Sequence, residues 1–200
     1  MAACLAAAAG LGAAAAHAQQ NPSFEDGDAA APAGWSPYRP DDPLRGVAIV
    51  VDSAVAAAGA RSLKLEQQDG GAFTRIGQRL PYHDLIASLP VEHSAVRRLR
   101  LRAALRSGAA ATAAGVWLRM AGAKGAIYLD TRGDGRENAG APTAPLDRPG
   151  TWTREELEVP LPYDATEVAF GALLRGRGTA WFDDFALEVV DVAQRPPPAA

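Results

Sequence analysis

Gly178-Thr-Ala-Trp181-Phe182-Asp183-Asp184-Phe185-Ala-Leu187-Glu-Val189-Val190 is the longest β-type run of the chain, rich in aromatic and branched residues, with two adjacent carboxylates at its centre. Ionised carboxylates are rarely buried without a partner, so whatever satisfies Asp183 and Asp184 between Phe182 and Phe185 decides the architecture. Successive side chains of a strand leave opposite faces. The two acids therefore form no catalytic pair unless a bulge intervenes.

Working outward, Val96 to Ser107 alternates most cleanly: Leu99, Leu101, Ala103 and Leu105 point one way, and Arg98, Arg100, Arg102 and Arg106 the other. A helix would spread those leucines around its circumference. Glu167 to Leu174 alternates likewise, with Val168, Phe170, Ala172 and Leu174 on one face. Further strands are predicted near Phe24, over Gly46 to Asp52, Leu63 to Glu66, Ala72 to Leu80, Ala114 to Met120, Ala126 to Leu129 and Trp152 to Val159. Pro81 to Ser94 reads as a connection with room for one helical turn, and Asp130 to Gly150 as a long polar loop. About ten short strands without a long helix predict an all-β, two-sheet antiparallel sandwich.

The 200 residues suit one domain, and the net charge of −3 gives no electrostatic case for nucleic acid or an anionic membrane. Residues 1–18 are an apolar Ala/Gly/Leu run ending in a small-x-small pattern, which predicts a signal peptide and a periplasmic or extracellular protein. The run is too rich in Ala and Gly to make a strong membrane helix, so no span is expected in the mature chain. Residues 19–192 form the expected domain, and 193–200 a Pro-rich tail or linker. The lone Cys4 falls in the leader, so neither disulfides nor cysteine chemistry are expected, and the domain reads as a monomer.

Asn21-Pro-Ser-Phe24-Glu25, Pro32-Ala-Gly34-Trp35, Ala58-Gly59-Ala-Arg61-Ser62-Leu63-Lys64-Leu65, Trp152 and Ala180-Trp181-Phe182-Asp183-Asp184-Phe185 follow one another in an order that resembles the galactose-binding-like jelly-roll domains. These include many carbohydrate-binding modules and accessory domains of secreted bacterial hydrolases. The resemblance, spanning Asn21 to Val190, implies a jelly-roll β-sandwich and no particular ligand. It also implies a structural calcium between the chain ends, with carboxylates from Glu25 and Asp184 and carbonyls around Gly59 to Ser62. The alternative is that Asp184 accepts backbone amides or the Ser62 hydroxyl while Asp183 faces solvent.

Enzymatic chemistry has little support. His83 and His93 lack metal-ligand spacing, and neither a Gly-x-Ser-x-Gly elbow nor a phosphate loop occurs. Neighbouring acids such as Glu155-Glu156 and Asp41-Asp42 should diverge. Asp130 to Glu137 carries acids around glycines but lacks the third-position acid and twelfth-position Glu of a calcium loop. The arginine row on Val96 to Ser107 reads as a solvated face paired with Glu156 and Glu158, or as a site for an acidic glycan. Sugar recognition needs aromatic rings beside planar polar groups. Trp117, Arg119, Tyr128 and Asp130 on one strand pair, with Trp35 and Tyr38 at a loop rim, are the candidates, whereas Trp152 and Trp181 are expected in the core. Two functions follow: a secreted non-catalytic module for a glycan or cell-wall polymer, or a structural or protein-interaction domain of a hydrolase.

Overall fold

The structure, a computed structural model, describes residues 19–28, 32–38, 47–68, 73–87, 96–108, 111, 113–132, 149–161 and 164–192. The expected signal segment 1–18, the tail 193–200, Asp41-Asp42, His93 and the Asp134 to Glu137 part of the acidic loop lie outside those residues.

Among the described residues ten strands and one short helix follow in order: β1 (Ser36–Pro37), β2 (Val47–Asp52), β3 (Ser62–Gln67), β4 (Phe73–Pro81), α1 (Tyr82–Ile86), β5 (Val96–Ser107), β6 (Ala113–Gly122), β7 (Gly125–Asp130), β8 (Trp152–Pro160), β9 (Ala165–Arg175) and β10 (Gly178–Val192). They form two antiparallel five-stranded sheets, a front sheet β1-β4-β9-β6-β7 and a back sheet β2-β3-β10-β5-β8. The β-sandwich expected from the alternation is therefore observed. One predicted strand is not: Phe24 lies in a turn with φ of +59°.

Alternation assigns the faces. Leu99, Leu101, Ala103 and Leu105 of β5 are buried against Val168, Phe170, Ala172 and Leu174 of β9 within one continuous core. Arg98, Arg100 and Arg102 point outward from the back sheet, where Arg98 and Arg100 meet Glu158 at 2.6 and 2.8 Å and Arg102 meets Glu188 at 2.5 Å. Glu156 lies 3.6 Å from Arg100, so the row is a paired solvated face. Its neighbour Glu155 leaves the opposite side of β8 to reach Arg132 at 2.6 Å, which rules out a dyad of the two glutamates.

The strand with two acids is bent by a bulge. Between Asp183 and Ala186 the register with β5 slips, so that Asp184 and Phe185 stand opposite Ala103 alone, and Asp184 takes φ of +49°. Phe182 and Phe185, three apart, can then both enter the core. β3 accompanies β10 only as far as Phe182. Beyond it the N-terminal segment takes over: Phe185 donates its amide to the Pro22 carbonyl, and the Gln19 side chain spans the Phe185 carbonyl and the Leu187 amide. Gln20 exchanges two hydrogen bonds with the Gln78 side chain on β4, so the segment ties both sheets together.

Candidate ligand-binding face

Trp117 projects from β6 onto the outer face of the front sheet, where its indole lies on backbone. Its Nε1 donates to the carbonyls of Ile76 (3.3 Å) and Ala172 (3.0 Å) on β4 and β9. Gly171 and Gly77 continue the row from Trp117 across those strands, and they make this approach possible. A Cβ on Gly77 would lie 2.7 Å from Trp117 Cζ2, and one on Gly171 would lie 2.0 Å from the Ile76 carbonyl oxygen. Ala169 and Leu173 flank the indole, forming an apolar cluster separate from the core.

Two half-buried tyrosines border it. Tyr38 meets the indole edge-on, with centroids 4.5 Å apart, and Tyr128 lies nearly parallel to it at 6.3 Å and 15°. The Arg75 guanidinium sits among the three rings, 4.7 Å from Tyr38, 5.2 Å from Tyr128 and 5.9 Å from Trp117. The Arg79 guanidinium lies over Tyr38, 5.2 Å from the ring centroid, and donates to the Tyr38 carbonyl at 3.2 Å. Burial, and next the Asp130 charge, hold the Tyr128 hydroxyl well above its ordinary value, so it stays protonated.

The remaining candidates divide. Arg119 is partly exposed and pairs with Glu167 at 3.3 Å. Asp130 is buried and accepts the Arg132 amide at 2.8 Å, fixing the turn that carries Arg132 onto β6. There Arg132 donates to the Ala114 carbonyl and to Glu155, a buried ion pair at the sandwich edge. Asp130 thus positions structure and presents little to a ligand.

Three aromatic assignments change. Trp35 is in the core, not at a rim: its ring packs 4.8 Å from both Phe24 and Phe185, and its Nε1 donates to the Gln20 and Asn21 carbonyls. Trp181 and Trp152, expected in the core, instead lie half-buried on the back sheet's outer face, in register on either side of Arg106. Trp181 donates to Asp52 at 2.8 Å, and the Arg106 guanidinium lies 5.6 Å from its ring. The bulge cannot be read from composition, but the glycines opposite Trp117 were a legible sign of close approach.

The chain ends correct the expected acid pair. Asp183, not Asp184, is the buried carboxylate: its Oδ2 accepts the Ala57 and Ala58 amides at 2.8 and 3.0 Å, and its Oδ1 the Asp184 amide at 2.8 Å. Asp184 is exposed and pairs with Arg154 at 2.9 Å. Glu25 Oε1 accepts the amides of Ala60 and Arg61 at 2.8 and 3.1 Å. Gly59, at φ of +64°, leaves room for it, since a Cβ there would lie 2.2 Å from that oxygen. The Arg61 guanidinium donates to the Glu25 and Gly27 carbonyls.

Calcium takes six to eight oxygens at roughly 2.3–2.6 Å. Here the carboxylate oxygens of Glu25 and Asp183 accept hydrogens, and Arg61 and Arg154 supply the cationic partners at the carbonyls and at Asp184. Glu25 and Asp184 share no partner, so as arranged these residues do not fit a calcium between them. Among the described residues no group of three or more His, Cys, Asp or Glu could hold a metal; His83 is exposed beside Asp84. Treating the protein with EDTA and then restoring calcium is expected to leave the melting temperature unchanged. Glu25→Gln should lower stability by about 1 kcal/mol by weakening two amide contacts. Differential scanning calorimetry checks both, and a drop with EDTA would restore the metal.

No helix among the described residues is long and apolar enough to cross a membrane. No protein-family model and no curated protein matches the sequence. Solved structures do. The enzymatically active domain of tailspike protein 4 from bacteriophage CBA120 matches with a TM-score of 0.54 at 13% identity, over 86% of this chain and 21% of that one. The tandem CBM22-1–CBM22-2 domain of Paenibacillus barcinonensis Xyn10C gives a TM-score of 0.54 at 15% identity, over 86% of this chain and 45% of that one. Its single CBM22-1 xylan-binding domain gives 0.50 at 16%, over 86% and 93%. The chain thus spans about a fifth of the tailspike chain and nearly all of the single module. The fold of this chain is a two-sheet jelly-roll β-sandwich, as in these solved xylan-binding domains.

Proposed function

We propose that the protein is a non-catalytic carbohydrate-binding module, exported to the periplasm or cell exterior, that holds a glycan against the outer face of its front sheet. The observation that carries this reading is the Tyr38–Trp117–Tyr128 cluster, an aromatic patch built outside the core and flanked by arginines. Partly exposed tyrosine rings offer faces to the C–H surface of a sugar, and Arg79 and Arg119 offer planar donors beside them. The likeness to xylan-binding modules supports the same reading.

Affinity gel electrophoresis against a panel of soluble polysaccharides tests it. At least one polymer should retard the protein, and Tyr38→Ala should weaken that retardation by roughly tenfold with little change in melting temperature. A protein retarded by none of the panel overturns the proposal. One observation favours the second reading, a structural or protein-interaction domain of a hydrolase: Trp117 is fully buried, so the rings also serve to seal the sheet.

A further inference from the structure

Trp152 and Trp181 have no core to fill. Both are half-buried on the outer face of the back sheet, and neither belongs to the main core or to the cluster around Trp117. A large apolar ring left partly in water on a sheet face gains its burial only when something settles on it.

The register sets their spacing. Trp181 of β10 stands opposite Arg106 of β5, and Arg106 opposite Trp152 of β8, so the two tryptophans occupy one row two strands apart. Neighbouring strands lie about 4.8 Å apart, which puts the two Cα atoms roughly 10 Å from one another. Trp181 is tethered on one side, where its Nε1 donates to Asp52 at 2.8 Å, and on the other the Arg106 guanidinium lies 5.6 Å from its ring. Arg106 Nε is buried and has no hydrogen-bond partner among the described residues. Beyond Trp181 the row reaches Lys64 of β3, which pairs with Glu66 at 2.7 Å, so charges of both signs frame the rings.

The order ring, donor, ring suits an extended polyhydroxylated chain. In a β-1,4-linked chain successive sugars turn over, so every second unit presents the same C–H face, and the length of one disaccharide is close to the spacing of the two tryptophans. The unit between them meets Arg106, whose planar N–H fork donates to hydroxyls. An apolar partner would instead bury that guanidinium without an acceptor. We infer that the protein carries a second glycan-binding site on its back sheet, formed by Trp152, Arg106 and Trp181, for a neutral β-1,4-linked chain laid across β10, β5 and β8. This rests on the carbohydrate-binding reading and adds a site on the face opposite Tyr38 and Tyr128, so that one molecule holds two chains.

The four tryptophans of the full chain give four indole N–H signals in a nitrogen-correlated NMR spectrum, assigned by replacing each in turn with phenylalanine. The chain is titrated with cellohexaose, mannohexaose and xylohexaose, and with α-1,4-linked maltohexaose, which coils. At least one β-1,4-linked hexaose should move the Trp152 and Trp181 signals to saturation while Trp35, in the core, stays in place; maltohexaose should move neither. Arg106→Gln should weaken that response roughly tenfold at nearly unchanged melting temperature, and Tyr38→Ala should leave it intact. Movement of the Trp117 signal alone overturns the inference and leaves the carbohydrate-binding reading standing. So does a back-sheet response that Tyr38→Ala abolishes, because the one site is then on the front. A response equal for maltohexaose, or undiminished in Arg106→Gln, also overturns it, since the row then reads neither chain shape nor hydroxyls. No response at any tryptophan, with no polysaccharide retarding the protein, overturns both.

Discussion

Asp183→Ala is expected to lower the free energy of unfolding by about 3 kcal/mol and the melting temperature by roughly 10 °C. The carboxylate is fully buried and accepts three backbone amides, two from the loop at Ala57 and Ala58 and one from the bulge at Asp184. Alanine removes the acceptor of all three amides and leaves a gap where the buried carboxylate stood, and each lost bond costs about 1 kcal/mol. Asp184→Asn, one residue along, should change stability by less than about 0.5 kcal/mol: its ion pair with Arg154 is solvated, and Asn tolerates the left-handed backbone. Chemical denaturation of the two variants side by side checks the asymmetry. Comparable losses would mean that the bulge does not divide the two acids as described.

The same carboxylate has a signed pH dependence. Burial holds the Asp183 carboxyl above its ordinary value of 3.8, an effect partly offset by its amide bonds. Between the unfolded and the raised folded value, the native state keeps a proton that the unfolded chain has lost. The group's contribution to stability is therefore greatest below about pH 3.8 and is lost as pH rises through the folded value. Asp183→Asn stays neutral throughout, so its melting temperature relative to the natural protein should be more favourable at pH 7 than at pH 3.

Much of the sandwich was legible because its strands follow the period of two. β5 alternates over eight or more residues between an apolar and an arginine-bearing face, the pattern of a half-buried strand, whereas β9 keeps its apolar row at period two but is buried on both faces, the second under Trp117. What period two cannot show is a change of phase. Phe182 and Phe185 are three apart and both core residues; an unbroken strand would have put one of them outside. The bulge that reconciles them also decides which aspartate is buried, so that choice was out of reach in the sequence. Tryptophan is ambiguous for a related reason. Its apolar area suits either the core or an outer face covered by other side chains, and the two environments differ only in what lies opposite. Trp35 has Phe24 and Phe185 opposite it, while Trp117 has two glycines. The expected metal ligands part for the same reason: Glu25 reaches the Gly59–Ser62 turn and accepts the Ala60 and Arg61 amides, Arg61 donates to the Glu25 and Gly27 carbonyls, and the bulge turns Asp184 away to Arg154.

Trp117→Ala should be the most damaging single change on the candidate face, costing about 4 kcal/mol. It removes a fully buried ring whose Nε1 joins the carbonyls of two other strands, and glycine at positions 77 and 171 gives no neighbouring side chain with which to fill the space. Tyr38, Tyr128 and Arg75 would then lose the surface they rest on, so loss of glycan binding should accompany the loss of stability. Trp117→Phe separates the two effects. It keeps most of the apolar area and gives up the indole donor, so it should fold with a loss of about 1–2 kcal/mol. If the indole is the floor of the sugar site, Trp117→Phe should also weaken polysaccharide binding severalfold by letting Tyr38 and Tyr128 shift, with their spacing no longer set by the larger ring. If binding is unchanged in Trp117→Phe while stability falls, the tryptophan seals the sheet and the ligand rests on the tyrosines and arginines alone. Tyr38→Ala supplies the converse: it exposes the edge of the indole without removing it, so binding should fall while the fold holds.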